Sequence, residues 1–289
     1  MKIATIDFND PKAPAELVRS LKETGFAVIK NHTISASLIK EVYQEWEQFF
    51  NSPDKAQYTF DPKNQTGYFP FKSENAKDSK IKDLKEFYHL YSKENIPSSL
   101  SNKTWELRNQ LNEIGITLLH WIQDNVPEEV RSKFSEPLPK MVENSHDTLF
   151  RVLHYPPLPS DAEEGAVRAF EHGDINLVTA LLTAAGPNGE YSVGAKTGLE
   201  VKDLNGNWHE VESDPNSIII NCGDFLEAAS EGYLISTRHR VKNPLGEASK
   251  KSRYSCPLFL HPRGEVILSG TKTARDFLDE RLKEIGLKK

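Results

Sequence analysis

Apolar and polar positions along this 289-residue chain change their rhythm near residue 148. Before that point, short apolar runs alternate with longer segments of helical period. IATIDF reads as a strand. PAELVRSLKETG, with Pro near its start and Gly at its end, reads as a helix. FAVIKNH reads as a second strand, and SASLIKEVYQEWEQFF, residues 35–50, as an amphipathic helix with a serine available as N-cap. NSPDKAQYTFDPKNQTGYFPF is a loop broken by Pro and Gly. Over residues 104–122, Leu107, Leu111, Ile114, Leu118 and Trp121 recur at spacings of four and three, which lays one apolar stripe along a helix.

After residue 148 the runs are short and rich in β-formers: LFRVLHYPP, GAVRAFEHGDINLVTALLT, TGLEVKDLNGNWHEV, NSIIINCGD, RHRVKNP and SRYSCPLFLHP. Pro-Pro, Asn-Gly, Gly-Asp and Asn-Pro pairs separate them as turns. Several short strands at this spacing predict a sandwich or barrel such as a jelly roll. A last helix is expected over about 272–286. With no flexible linker in sight, residues 1–145 and 146–289 are expected to form one compact unit, a mixed α/β module packed on a β core. The helical stripe from Leu107 to Trp121 needs a partner surface, and the β half offers one.

Composition narrows the picture by exclusion. The chain carries a net charge of −6, with 37% hydrophobic and 27% charged residues, which suits a globular protein with a sizeable core. No Lys/Arg-rich face is visible, so no nucleic-acid partner is expected. The densest basic run, EASKKSR at 247–253, reads as a solvated loop. No apolar run reaches the length of a membrane span, and MKIATIDFND lacks a secretion signal. The two cysteines, Cys222 and Cys256, form no CxxC pair, which argues against a disulfide framework or a cysteine-based zinc site. A reducing, cytoplasmic setting is the expectation.

Candidate chemistry begins with EHGDIN at 171–176. On an extended segment, His172 and Asp174 share one face. Alone, this H-x-D describes a hydrogen-bonded pair as well as it does a metal site. A second histidine, His239 in STRHRV, lies on a later β-run. Two histidines and one carboxylate on one face of a metal leave three positions open, the facial triad of non-haem iron(II) oxygenases. Zinc accepts the same ligands, but redox chemistry requires iron. Further on, SRYS places Arg253 and Ser255 two apart on one strand face. A guanidinium grips a carboxylate through two parallel hydrogen bonds, and an arginine buried beside a metal calls for an anion.

Taken together, H-x-D, a distal H-R-V and then R-x-S on a β-rich half resemble the isopenicillin N synthase-like branch of the iron(II)/2-oxoglutarate-dependent dioxygenases. The resemblance extends to FRVLHYPP, to INCGDFLEAASEGYLISTRHRV, to ETGFAVIKNH near the start and to TGYFPF, and so covers roughly residues 3–265. It implies a double-stranded β-helix, mainly β with α, with iron(II) at its open end on His172, Asp174 and His239. It implies that Arg253 and Ser255, helped by Tyr155, hold the distal carboxylate of 2-oxoglutarate. The implied reaction consumes O2 and 2-oxoglutarate, releases succinate and CO2, and oxidises an unactivated C–H bond of a small molecule; ascorbate serves as reductant in such enzymes. No separate acid or base residue is assigned.

Two departures from the family pattern stand out. Many plant relatives carry Asn two residues before the tyrosine, where this chain has Leu153. The stretch 184–198 and the segment between His239 and Arg253 are both longer than usual, and read as surface loops or borders of the active-site mouth. Phe225 and Phe259, near the motifs, are candidates for the substrate pocket or for core packing. Two rival readings remain open at the level of sequence. Isopenicillin N synthase and aminocyclopropanecarboxylate oxidase turn the same R-x-S on their own substrates and do not use 2-oxoglutarate. A barrel that only binds a small ligand would not need the triad.

Overall fold

The computed structural model describes residues 1–74, 81–189 and 198–284. The first half contributes β1 (Ala4–Asp7), α1 (Ala13–Thr24), β2 (Phe26–Lys30), α2 (Ala36–Asn51), β3 (Gly67–Phe69), β4 (Glu86–Leu90) and α3 (Lys103–Asn125). Two short helices, α4 (Glu128–Arg131) and α5 (Leu138–Val142), lead into the β region. There the chain forms β5 (Leu149–Tyr155), β6 (Ala169–His172), β7 (Val178–Leu182), β8 (Leu199–Lys202), β9 (Trp208–Glu210) and β10 (Ile218–Cys222). After α6 (Asp224–Ala229) come β11 (His239–Val241), β12 (Arg253–Ser255), β13 (Pro257–Leu260), the β14 (Ile267–Ser269) and β15 (Lys272–Thr273) hairpin, and α7 (Ala274–Glu284).

The helix signals act as expected. Ser35 caps α2, its hydroxyl accepting from the Leu38 amide at 3.2 Å. α1 ends on Gly25, whose φ of 73° is a left-handed C-terminal cap. Leu107, Leu111, Ile114 and Leu118 of α3 are buried, and Trp121 packs on Phe8 with ring centroids 5.1 Å apart. The helix passes so close to β13 that a Cβ at Gly115 would lie 2.6 Å from Leu260 Cδ2.

Apart from the β14–β15 hairpin, the strands make two sheets, in keeping with the jelly roll that the β-runs predicted. The nine-stranded sheet runs β1-β2-β10-β7-β13-β5-β4-β3, with β12 also paired to β5; the four-stranded sheet runs β6-β11-β8-β9. Four strands of the large sheet come from the first half of the chain, joined by the antiparallel pairs β2–β10 and β4–β5. β4 was not foreseen. Its EFYHL sequence shows no two-residue alternation, and it follows a polar stretch with no turn signal to mark its start. Of the long stretch at 184–198, Pro187–Gly189 forms a single turn, and residues 190–197 lie outside the described residues. The long connection from His239 to Arg253 runs over the surface, with Leu245 89% exposed.

Candidate active site

His172, Asp174 and His239 converge. One ligand atom from each lies within 4.8 Å of the other two, and they are the one such group of His, Cys, Asp or Glu among the described residues. His172 and His239 are cross-strand partners on β6 and β11, with ring centroids 4.3 Å apart. Asp174 arrives differently from the sequence expectation, because β6 ends at His172. The chain then leaves the ladder, and the Asp174 carbonyl accepts from the Asp224 amide of α6 at 2.8 Å. The turn toward α6, rather than a shared strand face, carries the carboxylate to the histidines.

Hydrogen bonds orient each of the three groups. His172 Nδ1 lies 2.7 Å from the Phe170 carbonyl and His239 Nδ1 lies 3.2 Å from the Thr237 carbonyl. A carbonyl only accepts, so both Nδ1 atoms carry a proton, which in the neutral imidazole leaves the Nε2 lone pair for a metal. Asp174 Oδ2 accepts from Thr179 Oγ1 at 2.5 Å and from Asn221 Nδ2 at 2.8 Å. Thr179 and Asn221 face each other across β7 and β10, so the large sheet fixes the carboxylate and leaves Oδ1 toward His239 Nε2, 3.8 Å away. Burial, then the neighbouring His239, pushes the His172 pKa down to about 3. Burial opposes ionisation of Asp174, but the two imidazoles and the two hydrogen bonds outweigh it and hold its pKa below the usual carboxylate range. A neutral His172, a second imidazole whose Nδ1 is held by a carbonyl, and an ionised Asp174, with supporting partners already in place, suit a divalent metal.

The three residues expected to hold the co-substrate's distal carboxylate also come together. Arg253 stands opposite Tyr155 and Ser255 opposite Leu153 in the β12–β5 ladder. Tyr155 and Ser255 are buried, and the Arg253 guanidinium lies 5.4 Å from the centre of the Tyr155 ring. The Arg253 residue is partly exposed, yet its Nη1 is buried and without a hydrogen-bond partner among the described residues. Burial pushes the Arg253 pKa down. A buried guanidinium nitrogen lacking an acceptor is costly unless an anion completes it.

The two phenylalanine candidates separate. Phe225 is 2% exposed and packs edge-on against His261 and Phe277, at 6.0 and 6.1 Å, as a core residue does. Phe259 is half-buried and lies under the Arg151 guanidinium at 5.5 Å. Arg151 itself was not foreseen. It shares the Tyr155 face of β5, stacks on Phe87 at 4.6 Å and donates from Nε to His89 Nε2 at 2.9 Å. Beside it Lys85, 6% exposed, pairs with Glu74 at 2.7 Å and Asp83 at 2.8 Å. Arg151 four before Tyr155 on a strand was the available signal; His89 lies on β4, the strand that the sequence reading missed, and Lys85 immediately precedes it. His154, the residue before Tyr155, points to the other side of the sheet, where it bonds Glu86 at 2.7 Å and stacks on Tyr254.

Known proteins match this arrangement. The model for the N-terminal region of non-haem dioxygenases of morphine synthesis matches residues 3–113, and that of the 2OG-Fe(II) oxygenase superfamily matches residues 146–262. The crystal structure of a putative oxygenase from Shewanella oneidensis is 45% identical, with a TM-score of 0.86 over 99% of this chain and 100% of that one. The chain belongs to the Fe(II)- and 2-oxoglutarate-dependent oxygenases. A putative 2OG-Fe(II) oxygenase family protein from Caulobacter crescentus is 28% identical at a TM-score of 0.76, over 98% of this chain and 99% of that one. Gibberellin 2-beta-dioxygenase 1 from Arabidopsis thaliana is 26% identical over 298 residues, which is 98% of this chain and 84% of the relative. This oxygenase is therefore an oxidoreductase whose cofactor is iron(II) and whose co-substrate is 2-oxoglutarate. Its double-stranded β-helix is the family's fold. The free Nε2 pair with Asp174 Oδ1, and the unpartnered Arg253 Nη1, fit the metal and the co-substrate respectively.

Proposed function

We propose that His172, Asp174 and His239 hold iron(II), that Arg253, Ser255 and Tyr155 hold the distal carboxylate of 2-oxoglutarate, and that the oxygenase oxidises a C–H bond of a small organic molecule. The observation that carries the reading is the pair of free imidazole nitrogens and one free carboxylate oxygen within 4.8 Å of one another. Iron(II) supplies the oxidising chemistry with O2; the protein supplies orientation and exclusion of side reactions. Thr179 and Asn221 fix the carboxylate, and the Phe170 and Thr237 carbonyls fix the imidazole tautomers.

Arg151 lies between Phe87 and Phe259 on the Tyr155 face of β5, and in this reading it faces the substrate. Both cysteines are buried and unpaired, which suits the cytoplasm. Among the described residues no helix is long and apolar enough to cross a membrane. Residues 1–145 and 146–289 belong, in this reading, to one folding unit.

Aerobic incubation with iron(II) and 2-oxoglutarate tests the proposal through succinate release. Uncoupled turnover is expected in the intact protein and its loss in His172→Ala, with iron binding lost in parallel. Full iron affinity in His172→Ala would remove that residue from the site. A metabolite extract scored for added oxygen mass then identifies the substrate.

A further inference from the structure

The clamp motif accounts for one buried guanidinium at this site, and the fold holds two. Arg168 immediately precedes β6, on the sheet opposite β12, and is 4% exposed. Its guanidinium lies 5.7 Å from the centre of the Tyr155 ring, the same ring that the Arg253 guanidinium approaches at 5.4 Å. Nη2 of Arg168 donates to the Lys251 carbonyl at 3.1 Å, two residues before Arg253. Nε of Arg168 and Nη1 of Arg253 are both buried and without partners among the described residues.

Among the described residues no carboxylate pairs with this positive charge. Among the described residues neither arginine takes part in an ion pair. Acidic groups nearby are engaged elsewhere: Glu171 with Lys202, Glu247 with Lys250, Asp83 with Lys85 and the Phe170 amide, and Glu74 with Lys85. Burial, then the Arg253 charge, lowers the Arg168 pKa to about 10. Two like charges in a dry site repel, and the usual resolution is an anion that both can bond.

We propose that Arg168 is a second guanidinium for the distal carboxylate of 2-oxoglutarate, so that the clamp is an Arg168–Arg253 pair closing around Tyr155 from both sheets. The inference rests on the co-substrate reading above and extends it to a residue outside the R-x-S motif. A carboxylate offers about four lone-pair directions. Arg253 with Ser255 leaves at least one of them for the Nε of Arg168. Arg168 acts here by binding, four residues ahead of the metal-facing His172, and takes no part in ligating iron.

Titration into the anaerobic iron(II) protein, followed by the metal-to-ligand absorption band, tests this without turnover. Two ligands are compared: 2-oxoglutarate, and 2-oxovalerate, which chelates through the same 2-oxo acid end but lacks the distal carboxylate. Arg168→Gln is expected to weaken 2-oxoglutarate about 10-fold or more, the worth of one charge-assisted hydrogen bond. The same variant should bind 2-oxovalerate and iron(II) as the unmodified protein does. Arg168→Lys keeps charge and length and should give a smaller loss, again confined to 2-oxoglutarate; it serves also if the Gln variant fails to fold. Binding of 2-oxoglutarate within about twofold of the unmodified protein would overturn the inference. So would an equal loss for both 2-oxo acids, which is the signature of a merely structural arginine. If the unmodified protein gives no band with 2-oxoglutarate, the co-substrate reading fails and this inference with it.

Discussion

Arg253 shows how a single residue's chemistry can be separated from its charge. If its fork meets the distal carboxylate, lysine at that position retains the charge and loses the paired geometry. Loss of one charge-assisted bond, roughly 1.5–3 kcal/mol, predicts that Arg253→Lys binds 2-oxoglutarate about 10- to 150-fold more weakly. Iron affinity should not change, since Arg253 is not a candidate ligand. An unchanged 2-oxoglutarate titration in that variant would mean that SRYS is not the clamp. His172, Asp174, His239, Arg253, Ser255 and Tyr155 were all legible in the sequence, because each sits in a short motif whose spacing survives any surrounding loops. Arg151 and Arg168 were not legible as site residues. Each is an ordinary arginine on a β-run until the fold brings it beside Tyr155 or Phe259.

At the scale of elements, the α1–β2 junction is open to a direct test because it packs against His239, a candidate metal ligand. Phe26 opens β2 and meets the His239 ring edge-on at 5.5 Å. Just before it, Gly25 closes α1 at φ 73°, and Thr237 donates to the Thr24 carbonyl at 2.9 Å. A Cβ at Gly25 would lie 2.2 Å from Thr237 Oγ1 and 2.6 Å from the Ile235 carbonyl oxygen. Gly206, in the β8–β9 turn, also has positive φ but has nothing within 4 Å of such a Cβ. Gly206→Ala should therefore cost only the left-handed penalty of about 1–2 kcal/mol. Gly25→Ala should cost more than that and also weaken iron binding, by displacing the segment that leads into His239. Urea unfolding and iron titration of the two variants check this; equal stability losses, with iron affinity intact in both, would disprove the coupling. The helix boundaries here were readable from Pro, Gly and Ser because capping is local chemistry. The contact between Gly25 and Thr237 was not, since it joins residues far apart in sequence.

For the whole molecule, the question is whether the two halves can live apart. β2 pairs with β10 and β4 with β5, and Phe26 from the first half packs on His239 in the second. Removing residues 1–144 would open two edges of the large sheet and uncover the apolar surface that α3 meets at Leu260. A chain starting at residue 145 is expected to be insoluble, or to lack a cooperative unfolding transition. A soluble fragment with a sharp thermal transition would show that the β region stands alone.

The sequence by itself determined most element types (β4 excepted), the two candidate triads of residues and the class of chemistry, because periodicity, caps and ligand spacing are properties of neighbours along the chain. It did not determine how Asp174 reaches the metal site. That was decided by the turn onto α6 and by Thr179 and Asn221, which face each other across two strands. Nor did it determine that Arg168 and Arg253, from opposite sheets, flank one tyrosine ring. Such relations follow from sheet order and register, which long-range pairing sets and local sequence pattern cannot encode.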